Sequence, residues 1–223
     1  TKFSNDIRLM SHLKEVDEPF TDKQIGSSAM AYKRNPMRSE RIASLSRYVI
    51  SDVINPAFTA AGQWFERTLD DSANRRLSVP EAFLATDGVL TLYINVIRGL
   101  RVYPAVIKKH LDAEMPFMVT ENIMMYCVTH KGGDRQELHE HIRQHSVAAG
   151  INIKQNGAEN DLYDRILADP IFGLSREELE FIVSEGRITG LAQKQTEDFL
   201  ADYVQPVLAK YGAELGAEAT VNV

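Results

Sequence analysis

The chain has almost no cysteine. Its single thiol, Cys127, excludes an internal disulfide and fits a reducing compartment. Cys127 lies in an apolar run, which predicts a buried, inert thiol rather than a nucleophile. No unbroken apolar stretch reaches the roughly 18 residues that span a bilayer. The best candidate, residues 89–97, is short and contains Thr91 and Asn95. No signal-peptide pattern opens the chain. Positive charge is not in excess either. Lys and Arg number 25 against 31 Asp and Glu, for a net charge of −6, which argues against bulk attraction to nucleic acid or to a membrane. Internal repeats, low-complexity segments and a convincing series of strands are missing as well. The expectation is a cytoplasmic protein with no nucleic-acid or membrane partner.

What is present forms helices. A length of 223 residues suffices for one or two domains with a real core. Residues 2–13 read as the end of a helix. Residues 15–35 form a long connection, of the kind that is usually functional or disordered. A helix is expected over 36–54, with Ile42, Leu45, Val49 and Val53 on one stripe, and Asn55-Pro56 breaks it. A second long helix is expected over 72–100, kinked at Pro80. Its part from 83 to 100 is apolar on several faces, which predicts burial all round, within a bundle or between subunits. After Tyr103-Pro104 come shorter helices near 105–114, 117–130, 134–154, 160–168, 175–185 and 190–210. The expected fold class is all-α, with a boundary near Val102 and domains 1–102 and 103–223.

Two segments carry chemistry. Residues 26–36 read Gly-Ser-Ser-Ala-Met-Ala-Tyr-Lys-Arg-Asn-Pro. Glycine and two serines let the backbone bend and offer hydroxyls and amides. Asn35 then reads as an N-cap and Pro36 as the first helical residue. Between Lys33 and Arg47 there are five cations and one acid, Glu40. Cations at a helix start oppose the macrodipole, so an anion is expected there. The second segment, 63–76, reads Gln-Trp-Phe-Glu-Arg-Thr-Leu-Asp-Asp-Ser-Ala-Asn-Arg-Arg. Asp71 or Ser72 can cap a helix whose first turns hold Arg75 and Arg76, again suited to a phosphate. Trp64 and Phe65 read as core residues rather than base-stacking ones.

The first segment resembles the signature loop of the fumarase/aspartase superfamily, whose pattern runs G-S-S-x-M-P-x-K-x-N-P. Its extension through Met37-Arg38-Ser39-Glu40-Arg41 is similar to the adenylosuccinate lyase family in particular. Ala31 departs, standing where the family usually has proline; it regains an N–H and loosens φ. The second segment resembles that family's nucleotide-phosphate block, which fumarases and argininosuccinate lyases are not expected to carry. Weaker likeness continues through Val102-Tyr103-Pro104, Thr120-Glu121-Asn122, Arg135-Gln136 and His139-Glu140. The resemblance implies the C-terminal part of a long-helix central bundle, then a smaller all-helical C-terminal domain. Family members are longer. The chain therefore reads as the C-terminal portion of a lyase, inactive alone, whose general-acid histidine belongs to a missing N-terminal half.

The resemblance implies β-elimination of fumarate from adenylosuccinate, giving AMP, and from the succinyl-aminoimidazole-carboxamide ribonucleotide. By it Ser27 is the base, its alkoxide stabilised by aimed donors in a dry, closed site. Ser28 and Met30 belong to the same loop, Met30 packing it down. Lys33 and Asn35 are implied ligands of the succinyl carboxylates, and Glu40 is implied to orient the histidine. Arg41, Arg67, Ser72 and Arg76 match positions that contact the nucleotide, mainly its phosphate. Plain structural readings stand beside each. Ser27 and Ser28 can be turn residues, Lys33 a solvated lysine and Asn35 a cap. Glu40 can pair with Arg38 or Arg41, Ser72 can cap, and Arg67 can pair with Asp70 or Asp71.

No metal or organic cofactor is implied. His139, His141 and His145 share one expected helix, and the four-residue spacing of the last two can bind zinc. The H-E-x-x-H order is lacking and no third ligand is evident, so solvated or structural histidines are expected. His12 lies outside the family's histidine motif. The resemblance also implies a homotetramer with active sites shared between subunits. A non-catalytic helical oligomerisation module and an argininosuccinate-type lyase are the alternatives.

Overall fold

The computed structural model describes residues 1–20, 30, 32–66, 68–184 and 189–216. Helices dominate. The chain divides into two compact units, one containing Thr1–Val106 and the other Ile107–Leu215.

In the first unit, α1 (Lys2–His12), α2 (Met37–Asp52), α3 (Ile54–Ala61) and α4 (Asp71–Gly99) are joined by a minimal ribbon. That ribbon pairs β1 (Val16–Asp17) antiparallel with β2 (Arg101–Val102), Val16 opposite Val102. Tyr103 locks it, its hydroxyl donating to Asp17 Oδ2 at 2.7 Å and its amide to the Glu15 carbonyl at 2.9 Å. The core is small: Ile42, Leu92 and Val96 are buried, with Phe3, Leu45, Val89 and Leu100 packed around them. Val53 is exposed, so the expected α2 stripe is buried only toward its start. Asn55-Pro56 does not separate two elements. It sits in the first turn of α3, where proline's missing N–H leaves no bond unmade.

One further expectation needs correction. Trp64 and Phe65 are exposed, because among the described residues no element packs on them. Within this single chain the apolar part of α4 is largely open, Phe83 being 76% and Leu84 72% exposed with only Ser78, Leu92 and Val96 of the helix buried, and burial between subunits stays an expectation. Finally, α4 has 29 residues and an 18-residue window of mean hydropathy 1.2, so by length and composition it could cross a bilayer. Counting unbroken apolar runs overlooked this, because scattered polar residues interrupt the runs.

The second unit takes in most of α5 (Pro104–Met118), then α6 (Thr120–Lys131), α7 (Arg135–Asn156), α8 (Leu162–Ala168) and α9 (Arg176–Val183). It ends in α10 (Ala192–Phe199), a π-helical turn at Leu200–Val204 and α11 (Gln205–Lys210). The punctuation is chemical. Gly132 and Gly157 take left-handed conformations and end α6 and α7. Asp134 caps α7 by accepting from the Gln136 and Glu137 amides. Ser175 and Glu178 form a capping box at α9. The core is continuous, with Ile123, Leu138, Leu162, Ile166 and Phe172 fully buried. Cys127 lies in it, its Sγ 3.6 Å from the Phe172 carbonyl, and burial raises its pKa as expected of an inert thiol.

Candidate functional site

The start of α2 is held from a distance. Glu18, only 6% exposed, accepts from the Arg38 amide at 2.9 Å and the Ser39 amide at 2.6 Å. Arg38 Nη1 donates to the Pro19 carbonyl. The anion expected at this helix start is thus supplied by the chain itself, from 20 residues upstream. This displaces the sequence-based assignment of the cap. The helix begins at Met37 after Pro36, and Asn35 makes no side-chain cap. The amides it would have served are taken by a full charge.

With Asn35 released from capping, its side chain lines a cleft of about 620 Å³ between α1 and the start of α2. Arg8 and His12 contribute from α1, and Arg34, Asn35 and Glu40 from the other wall. Glu40 makes no ion pair with Arg38 or Arg41 among the described residues, so that alternative role is not observed. The cleft therefore gathers donors, cations and one carboxylate. Arg34 is further positioned with its guanidinium 4.8 Å from the Phe20 ring centroid.

Lys33, Met30 and Arg41 do not line this cleft. Lys33 is exposed, and its amide donates to the Met30 carbonyl at 2.9 Å in a turn. Arg41 faces outward one turn into α2. Ser27, Ser28 and Arg67 lie outside the described residues.

Ser72 and Arg76 stand at the start of α4. Neither Asp71 nor Ser72 caps this helix: Asp70 precedes it, with no side-chain cap bond. Asp70 is occupied instead by the Thr68 hydroxyl and by Gln63 Nε2, and the Thr68 bond chiefly holds its carboxyl below the usual range. Arg75 faces Asp71 at 3.6 Å. Arg76 has no ion pair among the described residues, so of the two adjacent arginines only Arg75 is paired there.

Sequence reasoning missed Glu18 and Arg8, and set His12 aside as lying outside the family's histidine motif. The four-residue spacing of Arg8 and His12 puts both on one face of α1, a signal that was legible. Glu18 carried no local signal. In the second unit, the Thr120-Glu121 and Arg135 with His139 motifs meet around a cleft of about 370 Å³. Asp169 meets both His141 and His145, one ring nitrogen of each 2.8 Å from its Oδ2. Burial pushes the Asp169 carboxyl up, but bonds from His145 and His141, helped by the Ile171 amide, outweigh this and hold it at about 2.

Comparison with known proteins agrees with the motifs. The family description "Adenylosuccinate lyase C-terminus" matches residues 116–199, and the family "Lyase" matches 1–51. The chain is 51% identical over 217 residues to adenylosuccinate lyase of Schizosaccharomyces pombe, covering 97% of this chain and 45% of the relative. Against the Saccharomyces cerevisiae enzyme it is 48% identical, with the same coverage. Against that of Schistosoma mansoni it is 44% identical, covering 100% of this chain and 46% of the relative. The chain thus spans a little under half the length of these curated relatives. Among solved structures, a fumarate lyase from Mesorhizobium sp. BNC1 superposes with a TM-score of 0.71 at 23% identity, covering 90% of this chain and 43% of that one. A 3-carboxy-cis,cis-muconate lactonizing enzyme from Pseudomonas putida gives a TM-score of 0.65 at 22% identity, covering 86% and 40%. At these identities the structural likeness speaks for the fold, which is all-α.

Proposed function

The chain belongs to the adenylosuccinate lyase family and matches the C-terminal part of its members, and on that premise we propose that it supplies the loop and phosphate half of a C–N lyase active site. The reaction is β-elimination from a succinyl-amino nucleotide, adenylosuccinate or its imidazole-carboxamide analogue. Ser27, as alkoxide, takes the proton from the carbon beside a succinyl carboxylate. The C–N bond then breaks, its electron pair goes to the amine nitrogen, and a histidine outside this chain protonates that nitrogen. Fumarate and the amino nucleotide leave. No cofactor is needed in this scheme, because the histidine neutralises the leaving nitrogen.

Lys33 and Asn35 hold the succinyl carboxylates. The carbanion delocalises charge into the neighbouring carboxylate, so a cation there favours the transition state over the ground state. Glu40 orients the general-acid histidine and favours its protonated form. Arg41, Arg67, Ser72 and Arg76 hold the nucleotide, chiefly its phosphate, with Ser28 and Met30 shaping the loop. The observation that carries the reading is the cleft after the signature loop, which Asn35 and Glu40 line.

The test is adenylosuccinate cleavage, followed by ultraviolet absorbance, on the full-length protein containing this chain. Ser27→Ala is expected to lower kcat by about 10²–10⁴, the range of a lost general base. An undiminished rate in Ser27→Ala ends the assignment. His12→Gln is the companion control. It leaves turnover intact if the general acid lies elsewhere, and abolishes it if this cleft histidine is the acid.

A further inference from the structure

We propose that His141, His145 and Asp169 form a binding site for a divalent transition-metal ion of the zinc type. The inference concerns the second unit and does not depend on the lyase reading. His141 and His145 are four residues apart on α7, so consecutive turns present both imidazoles on one face. Asp169 directly follows α8 and meets them from a different element. His141 Nδ1 and His145 Nε2 each lie 2.8 Å from the same atom, Asp169 Oδ2. The three donor atoms all lie within 4.8 Å of one another.

The two histidine–carboxylate separations are close to those a tetrahedral ion imposes, and the two imidazole donors are within 4.8 Å of each other. Zinc bonds of about 2.0–2.1 Å set neighbouring ligand atoms roughly 3.3 Å apart. Each imidazole therefore has to withdraw from the carboxylate oxygen by only about half an ångström to admit the ion. The donor set selects the class of metal. Two imidazoles and a carboxylate suit zinc and its neighbours, whereas magnesium and calcium require mostly oxygen.

The donors are also held in place before any ion arrives. Asp169 Oδ1 accepts from the Ile171 amide at 3.1 Å, which fixes the direction of Oδ2. The His145 ring lies 6.4 Å from the Phe172 ring, a fully buried core residue. Such packing lowers the ordering cost of binding. Side-chain exposure rises from 15% at Asp169 through 25% at His145 to 37% at His141, so an ion can enter and water can take the fourth position. A bound ion would staple α7 to the turn that carries Phe172, a structural role.

The competing arrangement is a hydrogen-bonded tie in which one carboxylate oxygen accepts two imidazole N–H groups and no metal binds. Zinc titration against a competing chromophoric chelator separates the two. It uses the whole chain, freed of any affinity tag and stripped of metal. One equivalent per chain is expected, with a rise in Tm on zinc addition and none on magnesium. Cobalt(II) in place of zinc should give the visible bands of a tetrahedral site. Asp169→Asn keeps the acceptor for the Ile171 amide and should weaken zinc binding at least tenfold. His141→Gln, on the exposed rim, should do the same, and it decides the matter if Asp169→Asn loses helical circular dichroism. His139→Gln, on the same helix but outside the cluster, should bind as the wild type does. Zinc that binds Asp169→Asn and His141→Gln as tightly as the wild type overturns the proposal, as does a wild type that takes up none.

Discussion

Removing the Glu18 carboxylate leaves the Arg38 and Ser39 amides buried with no acceptor. Hydrogen bonds to a charged group contribute about 1.5–3 kcal/mol each, and an orphaned buried donor costs a similar amount. Glu18→Ala is therefore expected to destabilise the first unit by about 3 kcal/mol or more, read as a lower urea midpoint. Glu18→Gln should fall between, since it restores one acceptor and sets an NH2 group against the other amide. A midpoint unmoved in Glu18→Ala would mean that water serves the helix start instead. The neighbouring arginines of α4 give a second contrast. Arg75 is engaged by Asp71, and Arg76 has no ion pair among the described residues. Arg76→Ala should leave stability within the range of ordinary surface changes, yet raise the Kd for AMP at least tenfold in the full-length protein. Arg75→Ala should shift that Kd far less. Equal effects of the two would remove the phosphate role from Arg76.

Two elements test how local chemistry sets local stability. Gly99 ends α4 against the ribbon, and a Cβ there would land on the Pro19 ring, whose Cγ is 2.8 Å away. On propensity alone alanine gains about 1 kcal/mol over glycine within a helix. Overpacking against a rigid ring costs about 1–3 kcal/mol, and the gain is smaller at a helix end. Gly99→Ala should accordingly lower the urea midpoint, and a rise would show that the ribbon yields. The second element is the junction of α6 with α9. Lys131 Nζ meets Glu178 Oε1 at 2.7 Å, and the Ser175 amide donates to Oε2 at 2.9 Å. The lysine first, then the capping amide, lowers the Glu178 pKa. A carboxyl lowered on folding gives stability above its unfolded pKa of about 4.3, and that stability fades as pH falls through the lower folded value. Thermal melts from pH 6 to 2 should show this loss beginning at about pH 4. Glu178→Gln should flatten it, and high salt should shrink it, because the pair is partly exposed. Identical pH slopes in Glu178→Gln and wild type would exclude the junction as a source. The helices of this unit were legible because Gly132, Gly157, Asp134 and Ser175 act on their immediate neighbours. The Glu18 cap and the Asp169 corner were not, because each joins residues 20 or more positions apart.

Across the whole molecule, the sequence announced its family and its helices but not where its apolar surface would go. Periodicity told that α4 is apolar on several sides, yet hydrophobicity names no partner. The first unit buries little more of α4 than Leu92 and Val96. Asn35 and Glu40 were found by motif, whereas the α1 wall of their cleft needed the fold. The open α4 face follows from the same arithmetic. Phe83, Leu84, Leu90 and Leu77 are each more than half exposed, and fully burying such a side chain contributes about 1.5–3 kcal/mol. Four of them on one helix favour a state in which this surface is covered. We propose that copies of the chain pack α4 against α4 in the homotetramer that the family resemblance implies. A bilayer is the other environment that such a helix could enter. Light scattering on the purified chain, with and without liposomes, separates these outcomes. A tetrameric mass that Phe83→Glu reduces, with no liposome binding, supports the packed bundle. A monomer at micromolar concentration would remove the bundle, and liposome capture of the wild type alone would replace it with the membrane.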